Sequence, residues 1–268
     1  MILNNMTPKE KIAQAEKLFG IIDRISDKWV EDNLHSLKKR KIYPFTQHIK
    51  RNFAEFGEWN LSLQFKSRPN IRRGIEYSIH SWQRYFVNRS DKVENIGAGL
   101  YFVGETTKGG VGFNEFTPHF FNRFKERYFQ RQNKQDDFGT VVEELMKGME
   151  HALICNSPKI LEKKLPHSKK TKVVNIPHYE GYDNFAAFIP QGLCLGIHKS
   201  DYYYCFLTFV GEDELFENQN YLYQEASRII QILQNRDYKS PQQRGFRIEE
   251  AQRLRDYYKE KQKVKIIS

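Results

Sequence analysis

Cysteine is scarce in this chain. Cys155, Cys194 and Cys205 are the three in 268 residues, an odd number with no Cys-x-x-Cys spacing. That fits a reducing compartment better than a disulfide framework and argues against zinc. Long apolar runs are also missing: none approaches the roughly 18 residues of a membrane span. The opening MILNNMTPKEK lacks the basic region and apolar stretch of a signal peptide. The expectation is a cytoplasmic protein without membrane association. Histidines 35, 48, 80, 151, 167 and 178 show no metal-ligand spacing, and no acidic cluster suggests a two-metal nuclease. No metal and no other cofactor is expected. Gly97-Ala98-Gly99 opens like a dinucleotide fingerprint, but Phe102 stands where the third glycine belongs and strand-like sequence follows.

What is present in excess is positive charge and aromatic surface. Lys and Arg number 43 against 33 Asp and Glu, a formal charge of +10, so polyanions are the natural partners and nucleic acid the commonest of them. Aromatic residues make up 14% of the chain, which supplies the apolar surface that disordered chains lack.

Thr7-Pro8-Lys9-Glu10 combines an N-cap Thr, Pro at the first helical position and Glu three residues after the cap. Apolar residues at intervals of three and four then predict a long helix or helix pair to about Lys39. From Trp59 the pattern alternates, in Leu61-Ser62-Leu63-Gln64-Phe65 and again in Leu100 to Val103, which reads as strands. Thr106 to Gly110 is a hairpin loop with Val111-Gly112-Phe113 returning. Helices follow from Thr117 and over 138–153, then a basic connection over 159–172, then a strand meander over 185–210 with turns at Pro190-Gln191-Gly192 and Lys199-Ser200-Asp201. Helices over about 212–235 and 247–262 close the chain. The fold class expected is α+β: an antiparallel sheet with helices packed around it and helical N- and C-terminal extensions. Residues 1–56 read as the helical N-terminal extension and 57–268 as the α+β domain, with a single domain over 1–268 as the alternative.

The candidate site begins in FTPHFFNRFKERYFQR, residues 116–131. On a helical wheel His119, Asn122, Arg123, Glu126, Arg127 and Gln130 share an arc of about 140°, with the aromatic residues opposite and Arg131 drifting to the apolar edge. Thr117 is a natural N-cap, which would seat His119 beside unpaired amides that attract anions. One reading is a phosphate site, with His119 exchanging a proton and the planar forks of Arg123 and Arg127 neutralising a five-coordinate phosphate. The other is a solvated helix face. Thr208, among apolar residues of the last strand, shares a face with Tyr202, Tyr204 and Phe206 and can donate to a phosphate. Whether His198 joins that face depends on a register that the sequence leaves open. Glu126, His198 and Tyr204 are candidates for a second proton transfer. Separately, Arg68, Arg72, Arg73, Arg84 and Arg89 alternate with Tyr77, Trp82, Tyr85 and Phe86, which suits a phosphate backbone with bases stacked on rings, or else a core with Arg at its surface.

The helix TPHFFNRFKERY, the following DDFGTVVEELMKG and the strand end LTFV resemble metal-independent ribonuclease toxins of the barnase, colicin and RelE group, in their branch with a His-x-x-x-Arg-x-x-x-Arg helix before the sheet. The resemblance covers about residues 117–215. It implies a catalytic His119, Arg123, Arg127 and Thr208 around the scissile phosphate of RNA, with attack by the ribose 2′-hydroxyl. It also implies an inhibitory protein partner. The long basic connection and the extensions at both ends depart from that group. HFFNRF and TFVGEDELFENQ are also similar to uncharacterised proteins of gut bacteria and their phages, which implies no activity. The competing class is a non-catalytic nucleic-acid-binding protein of a phage or mobile element, with RNA favoured over DNA.

Overall fold

The computed structural model describes residues 6–65, 77–88, 95–105, 110–130, 137–149, 152–155, 162–163, 172–173, 182–215, 220, 223–224 and 226–227. The chain divides into two compact units, Met1–Asn122 with Ile197–Phe206, and Arg123–Gly196 with Leu207–Ser268.

The first helix, α1 (Pro8–Lys39), starts where its capping signature predicts. Thr7 Oγ1 accepts the Glu10 N–H at 3.3 Å, and the Glu10 carboxylate accepts the Thr7 N–H at 2.7 Å. Ala15, Leu18, Ile22, Ser26 and Val30 form its buried stripe, which lies against the sheet of the first unit. The helical character expected over residues 1–56 is corrected at Lys39, because β1 (Phe45–Phe53) follows. Its only apolar residues on the buried side are Phe45, Ile49 and Phe53, four apart. That spacing fits one face of a helix and one face of a strand alike, and the strand is defined by its pairing with β2 (Gly57–Phe65), from Phe45↔Phe65 to Phe53↔Gly57.

Three further strands, β3 (Tyr77–Asn88), β4 (Asn95–Glu105) and β5 (Val111–Phe116), extend the sheet antiparallel. β4 contains the predicted alternation Leu100–Val103 and β5 the returning Val111–Phe113, and residues 106–109 of the expected hairpin loop lie outside the described residues. β3 occupies the stretch read as interleaved arginines and aromatics, of which Arg68, Arg72, Arg73 and Arg89 lie outside the described residues. On the α1 side, Phe45, Phe65 and Tyr77 are successive cross-strand partners. Their rings stack at 4.8 and 5.6 Å, with Trp29 of α1 6.2 Å from Phe65. Gly99 has a specific reason to be glycine: a Cβ there would come within 2.3 Å of the ring of Tyr85, its cross-strand partner.

The helix expected at Thr117 is α2 (Pro118–Phe124), with the Phe120 N–H donating to Thr117 Oγ1 at 3.2 Å. It runs into a π-helical segment, Lys125–Phe129. Then come α3 (Phe138–Met149), ending before the expected Leu153, and β6 (Leu153–Cys155). Within the expected basic connection, β7 (Glu162–Lys163) and β8 (Lys172–Val173) pair with each other. The meander forms as predicted in β9 (Asp183–Ile189), β10 (Gly192–Ser200) and β11 (Tyr203–Gly211).

The sheet is mixed, nine strands in the order β1-β2-β3-β4-β5-β11-β10-β9-β6. β5 and β11 run parallel, from Tyr203↔Phe113 to Phe206↔Phe116, which corrects the purely antiparallel expectation. The fold class is α+β. Glu212–Glu214 form a 3-10 turn, and residues 220, 223, 224, 226 and 227 are helical. The helix expected over 247–262 lies outside the described residues. Among the described residues no helix is long and apolar enough to cross a membrane.

Candidate nucleic-acid interface

In the first unit the two faces of the sheet differ in chemistry because side chains alternate along each strand. Odd-numbered residues of β2 and β3 point to α1. Even-numbered ones build the opposite face, and the registers sort them into rows. His48, Ser62 and His80 are cross-strand partners in one row. The next contains Lys50, Asn60, Trp82, Phe102, Asn114 and Tyr204. Thr46, Gln64 and Ser78 form the row on the other side of His48. Arg84 and Phe86 continue the face along β3.

This face is polar, basic and aromatic together. His48, Lys50 and Arg84 are exposed, Asn60, Gln64, Trp82, Phe102 and Asn114 are half-buried, and Phe86 is 54% exposed. The Arg84 guanidinium lies 4.7 Å from the Phe86 ring centroid, a cation–π contact. Lys50 pairs with Glu58 at 2.9 Å, with both side chains more than half exposed. An exposed pair of this kind contributes at most about 1 kcal/mol, so a phosphate can take the ammonium over. In the centre, His48 Nδ1 lies 3.0 Å from Ser62 Oγ, and the His80 ring meets the Phe102 ring edge to face at 6.1 Å. Nothing singles out His48 or His80 in sequence, where they are 32 residues apart. The legible signal is the polar alternation Thr46-x-His48-x-Lys50-x-Asn52, Asn60-x-Ser62-x-Gln64 and Ser78-x-His80-x-Trp82-x-Arg84, which becomes a surface only through the cross-strand register.

The α1 side of the first unit holds a buried ionic cluster built on α1, β5 and the segment Ile197–Phe206. Glu115 of β5 accepts a short hydrogen bond from the Tyr203 hydroxyl and one from Lys199 at 3.3 Å, and Lys11 of α1 stands 3.8 Å away. Lys11, 4% exposed, donates to the Tyr203 hydroxyl at 3.2 Å and lies 5.5 Å from both the Tyr101 and Tyr203 ring centroids. Burial pushes the Lys11 ammonium pKa down against the pull of Glu115. Burial pushes the Glu115 carboxyl up, but Lys199, Lys11 and the Tyr203 hydroxyl together hold it below the ordinary carboxylate range. The Tyr203 hydroxyl is raised by burial and by the neighbouring carboxylate, and burial lifts the Cys205 thiol to about 12. A thiol so raised is no nucleophile near neutral pH.

Of the residues expected around a phosphate, His119 is exposed in the first turn of α2 and belongs to the first unit. Arg123, Arg127 and Thr208 belong to the second. Arg123 is bound to Glu126 at 2.9 Å. Arg127 Nε lies 2.7 Å from Glu214, and its Nη1 donates a short hydrogen bond to the Phe209 carbonyl, which ties the π-helical segment to the end of β11. The i→i+5 turn from Lys125 to Phe129 breaks the uniform wheel on which the spacing of four was drawn. Thr208 is half-buried on β11 beside Phe209. The His198 ring stacks on Tyr204 at 4.6 Å, which places it on the Tyr204 side of the strand, and its Nε2 is buried without a hydrogen-bond partner. Among the described residues no group of three or more His, Cys, Asp or Glu side chains is disposed to hold a metal ion. No family model, no curated protein and no solved structure matches the chain.

Proposed function

We propose that the protein binds single-stranded RNA across the polar face of β1 to β4. The observation that carries this reading is the alternation of Trp82, Arg84 and Phe86 along β3, beside Lys50 and Asn60 of the neighbouring strands, on a chain of net charge +10. Rings of this kind stack on bases whatever their identity, and lysine and arginine follow the backbone. Asn60, Ser62 and Gln64 supply short polar groups of the type that meet a ribose 2′-hydroxyl, which favours RNA over DNA.

The test is fluorescence anisotropy with a short unstructured RNA over a range of salt. Affinity falls linearly on a log–log plot, and the double charge reversal Lys50→Glu with Arg84→Glu lowers the slope by roughly two phosphate equivalents. Binding that is insensitive to salt contradicts the reading.

A ribonuclease seated on α2 is the second reading. Exposed His119 in the first turn of α2 favours it. Its test is RNA cleavage in EDTA by wild type and by His119→Ala, with loss in the variant expected and intact RNA with wild type as the refuting result.

A further inference from the structure

We propose that His48 and His80, standing on either side of Ser62, form an acid–base pair that cleaves RNA held on this face without a metal ion. The inference rests on the binding reading above and adds a reaction to it.

The geometry comes from the register. His48 and His80 are both cross-strand partners of Ser62, on three adjacent strands. With strands spaced by about 4.8 Å, their backbones stand roughly 9.5 Å apart on either side of Ser62, with His48 exposed and 9% of His80 open to solvent. Each ring is held by a second group. Ser62 Oγ lies 3.0 Å from His48 Nδ1, and the Phe102 ring meets the His80 ring edge to face at an interplanar angle of 89°. Rings oriented this way keep their reacting nitrogens in place, as proton transfer requires. One row away, Lys50 and Asn60 are cross-strand partners, and Trp82 follows Asn60. That places an ammonium for the phosphate charge and a ring for an adjacent base.

The chemistry balances with RNA alone. His48, the exposed member, takes the proton of the ribose 2′-hydroxyl. The 2′-oxygen forms a bond to the adjacent phosphorus, the bond from phosphorus to the 5′-oxygen breaks, and His80 as imidazolium gives its proton to that leaving oxygen. The products are a 2′,3′-cyclic phosphate and a free 5′-hydroxyl. Lys50 offsets the negative charge of the five-coordinate state.

The experiment incubates the full chain with a short 5′-labelled RNA in EDTA and follows both cleavage and anisotropy. Wild type yields ends carrying 2′,3′-cyclic phosphate, and an RNA with 2′-deoxy sugars throughout is bound but left intact. His48→Ala and His80→Gln each lower the cleavage rate by about 10²-fold or more, the range that a positioned acid or base contributes. Their RNA affinity falls far less than the cleavage rate, by no more than about tenfold, a step of 1.4 kcal/mol. His80→Gln retains a polar side chain at this buried position, and an unchanged melting curve shows that the variant is folded. Binding without cleavage by wild type overturns this proposal and leaves the binding reading standing. Absence of binding overturns both. Cleavage lost in His119→Ala but retained in both histidine variants of the sheet overturns it in favour of α2.

Discussion

Replacing Glu115 by Gln removes the carboxylate that a buried and a half-buried lysine share, and the loss is large because all three side chains lie mostly away from water. The carboxylate lies 3.3 Å from Lys199 and 3.8 Å from Lys11, with side-chain exposures of 12%, 21% and 6%. Breaking a buried pair by removing one partner costs about 3–5 kcal/mol, because it strands the opposite charge away from water. At roughly 2–4 °C per kcal/mol, the melting temperature of Glu115→Gln falls by about 6–20 °C. Lys11→Met is the informative contrast. It removes a cation whose burial already works against its charge, leaves Glu115 bound to Lys199 and Tyr203, and fills the space among the Tyr101, Phe113 and Tyr203 rings with an apolar chain of similar length. Such a swap costs less than about 1.5 kcal/mol. The sign with pH follows from the lowered Glu115 carboxyl. Its stabilisation is complete above the unfolded carboxylate value and is lost as pH falls through the folded one. Glu115→Gln therefore flattens the acid limb of the stability curve. Thermal melts of the three proteins from neutral to acid pH measure all of this. A Glu115→Gln melt equal to wild type, or a Lys11→Met loss as large as that of Glu115→Gln, refutes the reasoning.

Gly99→Ala places a methyl group 2.3 Å from the Tyr85 ring and costs about 1–3 kcal/mol, most of which disappears when Tyr85→Ala is added, as a double-mutant cycle by urea unfolding shows. Thr7→Ala removes the cap that α1 begins on and lowers stability by about 1 kcal/mol, whereas Thr7→Ser keeps it. Trp82→Ala weakens RNA binding by about 1–3 kcal/mol, one stacked base, without moving the melting temperature by more than a degree or two.

Elements with strong local signals were legible from the chain. The capping box and stripe of α1, the cap at Thr117, the alternation of β2 and the three-strand meander all appear where the residues place them. β1 and β3 were not, because basic and aromatic residues mask their period and only pairing with β2 defines them. The parallel pairing of β5 and β11 is long-range, with 197 to 206 returning to the first unit, and no local pattern announces it. The same holds for function. The spacing of four along 119, 123 and 127 is a local regularity, but Glu126 and Glu214 bind its arginines and the π-helical segment interrupts its period. His48, Ser62 and His80 are separated in sequence and meet through register alone. Of the interleaved arginines and aromatics, Trp82, Arg84 and Phe86 share one face of β3, and Tyr77 and Tyr85 leave it because strand parity turns them to the α1 side, where Tyr77 donates to Asp27 at 2.6 Å and Tyr85 stacks on Tyr101 at 4.1 Å.

Ultraviolet cross-linking of the full chain to a uridine-rich RNA, with the linked peptides identified by mass spectrometry, tests the central claim most directly. RNA lying on the polar face of the sheet links to Trp82, Phe86 or Phe102. Cross-links confined to α2 or to residues beyond β1 to β4 contradict it.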